Sequence, residues 1–182
     1  MRVKFISVAN LVDAKGIDTL PAFFAQLKRE KNFLWIIVGN GPQAVLISNL
    51  ICESGIAENV IWIKDRIPNE DILKLMSKSN FYIMSHRKSI FDFSTIEAMH
   101  MGNIPVLSFV GGNKEVIVDN NGFFLTGNAA LDAEAFIEYF NKIDLQKAKE
   151  KNMDIADKMF SEESFLASYL DVVSCLMDDS QS

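Results

Sequence analysis

Residues 89–117 read SIFDFSTIEAMHMGNIPVLSFVGGNKEVI, and this run holds a helix start, a helix, a buried strand and a Gly-Gly turn. Ser94 and Thr95 are residue types that cap a helix; the helix then runs to Met101 and Gly102 ends it. Residues 104–109 read as a short buried strand, and Gly111-Gly112 lets the backbone turn tightly. A polar loop feeding a helix N-terminus, beside a second glycine turn, offers backbone N–H groups to a phosphate. Glu97 stands one turn inside that helix, where a carboxylate can reach sugar hydroxyls.

Outward from this stretch, apolar runs and helical patterns alternate. Strands are expected over 5–9, 34–38, 60–63, 81–84, 104–107 and 122–125, with helices over 17–31, 42–54, 69–77 and 94–101. Continuously apolar strands joined by helical crossovers predict a parallel sheet covered on both faces. The fold class is therefore α/β: a Rossmann-like doubly wound parallel sheet of about six strands, which takes ligands at the carboxyl ends of its strands. Beyond Leu125 the pattern is helical, over 132–141, 144–158 and 162–177, a helical C-terminal tail. Phe23, Phe24 and Leu27 belong to the core, and Phe91 and Phe93 are expected to anchor their loop there.

Composition excludes several classes. A chain of 182 residues suits one domain, 1–182, and 49% apolar content with mixed charge argues against disorder. A net charge of −6 argues against a general nucleic-acid binder, which concentrates Lys and Arg, and gives no pull toward anionic lipid. Cys52 and Cys175 lack metal-like spacing and read as buried thiols, consistent with a reducing compartment. His86 and His100 have no Cys partner, so no metal is expected. No apolar run reaches membrane-spanning length, and the N-terminus lacks a signal-peptide pattern, so a cytoplasmic setting is expected.

The ordered set of motifs resembles the donor-sugar-binding half of retaining glycosyltransferases of the GT-B fold, family 4. Members carry a Glu, seven residues, a second Glu followed by Ala-Met, a Gly, a Pro-Val and a Gly-Gly-x-x-Glu. Glu97-Ala98-Met99, Gly102, Pro105-Val106 and Gly111-Gly112-Asn113-Lys114-Glu115 fit, while Ser89 stands at the first Glu. Upstream, the family's first strand leads to an Arg and, five residues on, a Lys-Gly. Here Lys15-Gly16 fits and Asn10 replaces the Arg. Residues 34–38 with Gly39-Asn40-Gly41-Pro42 match the second strand and its Gly-rich turn, and Phe160-Ser161 with Tyr169 match the last helices.

The resemblance implies a nucleotide-sugar donor as substrate, with no cofactor and no metal. It assigns donor binding to Lys15, Gly39, Gly41, Ser94, Thr95, Glu97, Gly111, Gly112 and Glu115. Glu97 would hold the ribose hydroxyls, Lys15 the diphosphate. Each has a plainer reading: Glu97 compensates the helix dipole, Lys15 is a solvated helix-start lysine, the glycines are tight turns, Ser94 and Thr95 are caps only, and Lys114 pairs with Glu115. Retaining transfer needs charge near the sugar and the leaving diphosphate. Ser89 and Asp92 are the residues in position near the sugar, and Arg87 and Lys88 can replace the missing positive charge, although Asp92 can simply pair with Arg87. Lys64 is assigned no role.

GT-B enzymes place their site between two Rossmann-like domains, and this sequence matches the second. The expected partners are a nucleotide sugar and the missing N-terminal acceptor domain or a partner chain, through which any contact with the inner membrane face would come. The expected function is donor binding for hexose transfer to a glycan or lipid-linked acceptor in polysaccharide biosynthesis. The alternative is a non-catalytic, glycosyltransferase-like subunit. An unrelated coenzyme binder is disfavoured, because Gly39-x-Gly41 follows the second strand rather than the first.

Overall fold

The computed structural model describes residues 2–90, 92–161 and 164. Six strands form one sheet: β1 Val3–Val8, β2 Phe33–Val38, β3 Val60–Ile63, β4 Phe81–Met84, β5 Ile104–Ser108 and β6 Phe123–Leu125. Their order is β3-β2-β1-β4-β5-β6, and every neighbouring pair is parallel. β1 and β2 align from Val3 opposite Phe33 to Val8 opposite Val38. β2 and β4 are apolar along their whole length because helices cover both faces, whereas β3 at the edge is half exposed.

The helices are α1 Leu20–Leu27, α2 Ala44–Glu53, α3 Asn69–Ser77, α4 Phe93–His100, α5 Asn113–Val116, α6 Ala129–Lys142 and α7 Leu145–Phe160. One face of the sheet is aromatic. Phe5 of β1 stacks on Phe81 of β4 at 5.2 Å and meets Phe24 of α1 edge-on at 5.1 Å, with Phe136 of α6 at 5.5 Å. Phe23, Phe24 and Leu27 are core residues, as their spacing predicts. Buried Ser7 on this face donates to the Ile83 carbonyl at 2.6 Å and accepts from Trp35 Nε1 at 3.0 Å, so no polar atom of the pair is stranded.

Several local expectations are corrected. α1 begins later than residue 17, because Gly16 at φ 64° breaks the chain into two short 3-10 turns before Leu20. α4 starts at Phe93 with Asp92 as its N-cap, so Ser94 and Thr95 lie inside the first turn and do not cap it. That register sets Thr95, Ile96, Ala98 and Met99 on the buried face and leaves Phe93 77% exposed instead of in the core. Cys52 is exposed on α2, not buried. The sequence reading also lacks the short helix α5. The expected helix over 162–177, with Tyr169 and Cys175, and Phe91 lie outside the described residues. No described helix is long and apolar enough to cross a membrane.

Candidate donor-binding site

The direction of chain travel reverses between β1 and β4, which leaves a crevice at the carboxyl ends of the strands. A cleft of about 820 Å³ opens there, lined among others by Asn10, Gly39, Lys64, Ile67, Asn69 and Ser94. Gly39 lines it, and Gly41 lies just behind in the same loop. Gly39 has φ 134°, and a Cβ on it would lie 2.0 Å from the Ala9 carbonyl oxygen. At Gly41 a Cβ would come within 2.6 Å of the Leu11 carbonyl oxygen. Both glycines therefore seat the loop after β2 directly on the loop after β1. Trp62 Nε1 donates to the Gly39 carbonyl at 2.9 Å, and Lys64 lies 4.6 Å from the centre of the Trp62 ring.

Glu97 is half-buried on α4, next to this cleft. Its carboxylate accepts a long 3.4 Å hydrogen bond from Asn69, the first residue of α3 and part of the cleft wall. This weak contact leaves the carboxylate largely available, and the sequence gives no sign of Asn69 as its neighbour.

At the N-terminus of α4 a compact polar cluster gathers around Asp92. Lys15 Nζ donates to Asp92 Oδ1 at 2.8 Å, while Thr95 Oγ1 and Tyr82 OH donate to Oδ2 at 2.9 and 3.2 Å. The Asp92 side chain is 7% exposed and that of Lys15 27%. Burial pushes the Asp92 carboxyl up, but the Lys15 hydrogen bond and charge, with His86 and Thr95, outweigh it and hold the group below the ordinary carboxylate value. His86 is buried, and its Nε2 lies 3.7 Å from Asp92 Oδ2. Burial lowers the imidazole to about 4, against the pull of Asp92. The same burial, reinforced by the Asp92 charge, raises the Tyr82 hydroxyl.

Arg87 does not pair with Asp92. Its guanidinium grips Asp18 through two bonds of 2.8 and 2.6 Å and donates to the Asp13 carbonyl at 2.8 Å. That hydrogen bond from Arg87, opposed by burial and aided by the Arg87 charge, lowers the Asp18 carboxyl. With Thr19 Oγ1 2.6 Å from Ser85 Oγ, these bonds clamp the loop after β4 to the segment after β1. Arg87 is thus a tether between loops. It does not replace the charge missing at Asn10.

Ser89, Gly111, Gly112 and Glu115 fall on the other side of that loop. Gly111 has φ 48°, and a Cβ on it would lie 1.6 Å from the Ser89 carbonyl oxygen; Gly112 N–H donates to that oxygen at 3.3 Å. The Gly112 amide is therefore engaged by the protein. The Ser89 side chain is half-buried beside a separate cavity of about 540 Å³. Glu115 is exposed, and Lys114 lies 4.6 Å from the Phe109 ring centre, a cation–π contact in place of the expected ion pair with Glu115. The structure thus brings Gly39 and Ser94 together in the wall of the large cleft, sets Glu97 beside it through Asn69 and Gly41 behind its lining, and gathers Lys15, Asp92 and Thr95 at the α4 terminus. It sets Ser89 and the Gly-Gly turn apart from them. Sequence reasoning missed His86, Tyr82 and Asn69. Among the described residues no group of three or more His, Cys, Asp or Glu side chains is placed to hold a metal ion.

A sheet of order 3-2-1-4-5-6 with an open crevice at its switch point, glycine loops behind it and a helix N-terminus facing it defines a Rossmann-like domain of the GT-B kind. The chain belongs to the family of glycosyl transferases group 1, which it matches over residues 1–159. Over 112 residues, 62% of the chain, it is 25% identical to N-acetyl-alpha-D-glucosaminyl L-malate synthase of Bacillus anthracis and covers 29% of that protein. Sucrose-phosphate synthase from Thermosynechococcus elongatus superposes with a TM-score of 0.80 at 20% identity, covering 98% of this chain and 46% of that one. HepE of Anabaena, solved with UDP and glucose, superposes with a TM-score of 0.78 at 21% identity, covering 95% and 48%. The chain thus spans less than half the length of each of these relatives.

Proposed function

We propose that this chain is the donor-binding domain of a glycosyltransferase, and that it holds a nucleotide-diphosphate sugar for retaining transfer of a hexose. In this reading the nucleoside lies in the cleft at the ends of β1 to β3, with Glu97 on the ribose hydroxyls. The diphosphate reaches the N-terminus of α4 near Ser94 and Thr95, with Lys15 as its cation. The acceptor, a glycan or lipid-linked sugar in polysaccharide assembly, comes from a second Rossmann-like domain or partner chain that closes the cleft. No metal is needed, because the chain supplies the cation and the helix end. The observation that carries the reading is the open cleft at the switch point with a half-buried carboxylate, Glu97, beside it in a member of this family.

Calorimetric titration with UDP-, GDP- and ADP-glucose tests it. Saturable binding of one of them is expected, weakened by roughly tenfold or more in Glu97→Ala, since a charge-assisted pair of hydrogen bonds to the ribose is lost. Binding that is indifferent to Glu97→Ala would remove the ribose assignment.

A second reading is supported by particular contacts. With Asn10 in place of an arginine, Lys15 is bound to Asp92 and Arg87 to Asp18, so two of the cations expected to meet the diphosphate are already paired. A non-catalytic partner subunit that retains the fold would look like this. Failure of a folded sample to bind any nucleotide sugar, with or without the second domain, favours it.

A further inference from the structure

Asp92 has the backbone of an N-cap, φ −118° and ψ 99°, yet its carboxylate makes no capping bond to the helix. It turns aside to collect three donors: the Lys15 ammonium, the Thr95 hydroxyl and the Tyr82 hydroxyl. An anion is thus already in place where a cation and a helix N-terminus converge, the surroundings that favour a bound phosphate. A diphosphate drawn to Lys15 meets this buried carboxylate, and the two anions compete for one ammonium.

A second observation shows what happens to Asp92 if Lys15 leaves. The His86 side chain is fully buried, and among the described residues its Nε2 has no hydrogen-bond partner, although it lies 3.7 Å from Asp92 Oδ2. Asn113 Nδ2 donates to the Ser108 carbonyl at 2.9 Å and lies 3.4 Å from His86 Nδ1. This arrangement makes Nδ1 the acceptor and puts the ring hydrogen on Nε2, an assignment from the hydrogen-bond network. His86 is a spare donor aimed at Asp92, and a small shift lets it replace the ammonium.

We propose that Asp92 is a built-in counter-anion of the donor site: it holds Lys15 in the empty protein, and donor binding transfers the ammonium from Asp92 to the diphosphate while His86 closes on the vacated carboxylate. Asp92 is then a positioning residue that sets how much negative charge a ligand must bring, acting through Lys15 and touching no substrate. The inference rests on the donor-binding reading above.

Calorimetry at pH 8, where His86 is neutral, compares the unmutated chain with Asp92→Asn, using UDP-, GDP- and ADP-glucose. Asparagine keeps the shape and can still accept hydrogen bonds, but it removes the competing charge, so binding should tighten by roughly tenfold. The gain should vanish in the Lys15→Met/Asp92→Asn double variant. Binding seen only in Asp92→Asn is the same result in stronger form. Equal or weaker binding by Asp92→Asn overturns the counter-anion and leaves the donor reading standing. Absence of binding by every variant overturns both. Should Asp92→Asn fail to fold, NMR of the unmutated chain decides: the Lys15 ammonium and Asp92 carboxylate signals should shift together as the nucleotide sugar saturates, and fixed signals at saturation would overturn the proposal.

Discussion

Motif resemblance nominated Lys15 and Glu97, and position in the loop nominated Asp92, but none of these gave their partners. The nearest cations to Asp92 along the chain are Lys88 and then Arg87, and pairing it with Arg87 is the natural expectation. The fold instead gives Asp92 a lysine 77 positions away and gives Arg87 an aspartate 69 positions away. Such pairs depend on which strand ends adjoin in space, which no local pattern encodes. His86 carries a consequence at this scale. Its folded value, about 4, lies below the ordinary 6.5, so between those values the unfolded chain binds the extra proton. The stability from keeping this ring neutral is complete above pH 6.5 and is lost as pH falls toward 4, on the order of 3 kcal/mol in all. The lowered carboxyls of Asp92 and Asp18 lose their share at lower pH still, as they protonate. Urea denaturation of the unmutated chain and of His86→Gln between pH 7.5 and 4.5 measures this. The variant should show a shallower fall in stability, and parallel curves would contradict the assignment.

Among the elements, the six strands were legible as runs of apolar residues and stand within a few positions of their expected bounds. Helix starts were legible at α3, which begins at Asn69 as expected, and to within one residue at α4 and α7, but not at α1, where a backbone event that a single residue announces weakly decides it. Gly16 delays α1, and the N-cap of α4 is Asp92, whose carbonyl accepts from Thr95 N–H while its carboxylate turns to Lys15, Tyr82 and Thr95. α5 is too short to show a period. The glycines carry more than turn chemistry: Gly16 and Gly111 each leave room for a backbone oxygen of the loop after β4, Ser85 O and Ser89 O. A Cβ would lie 1.7 Å from the first and 1.6 Å from the second. Gly55 has a similar φ of 65° but open space around it. Gly55→Ala should therefore cost about 1 kcal/mol from backbone strain alone, while Gly16→Ala and Gly111→Ala should each cost roughly 2–4 kcal/mol. Chemical denaturation of the three variants distinguishes them, and equal losses would mean that the loop does not press on these glycines.

For the molecule as a whole, alternation of strand and helix announced the doubly wound class, and the sheet order then fixed where the crevice falls. The division of the site residues between two sides of the loop after β4 was not legible, because the 89–117 stretch is continuous in sequence and folds around that loop. A chain that spans less than half of sucrose-phosphate synthase and of HepE holds, on the proposed function, one wall of a cleft. We expect it to bind donor without transferring sugar at a measurable rate, and turnover by the isolated chain in a radiolabelled-sugar assay would refute this. The most direct measurement is amide chemical-shift mapping of the chain with the nucleotide sugar that binds. The shifts should cluster at Asn10, Gly39, Ile67, Ser94 and Glu97, along the 820 Å³ cleft and the start of α4. Shifts gathered instead at Phe109, Phe124 and Thr126, around the cavity beyond β4, or no shifts with any nucleotide sugar, would contradict a donor site at the switch point.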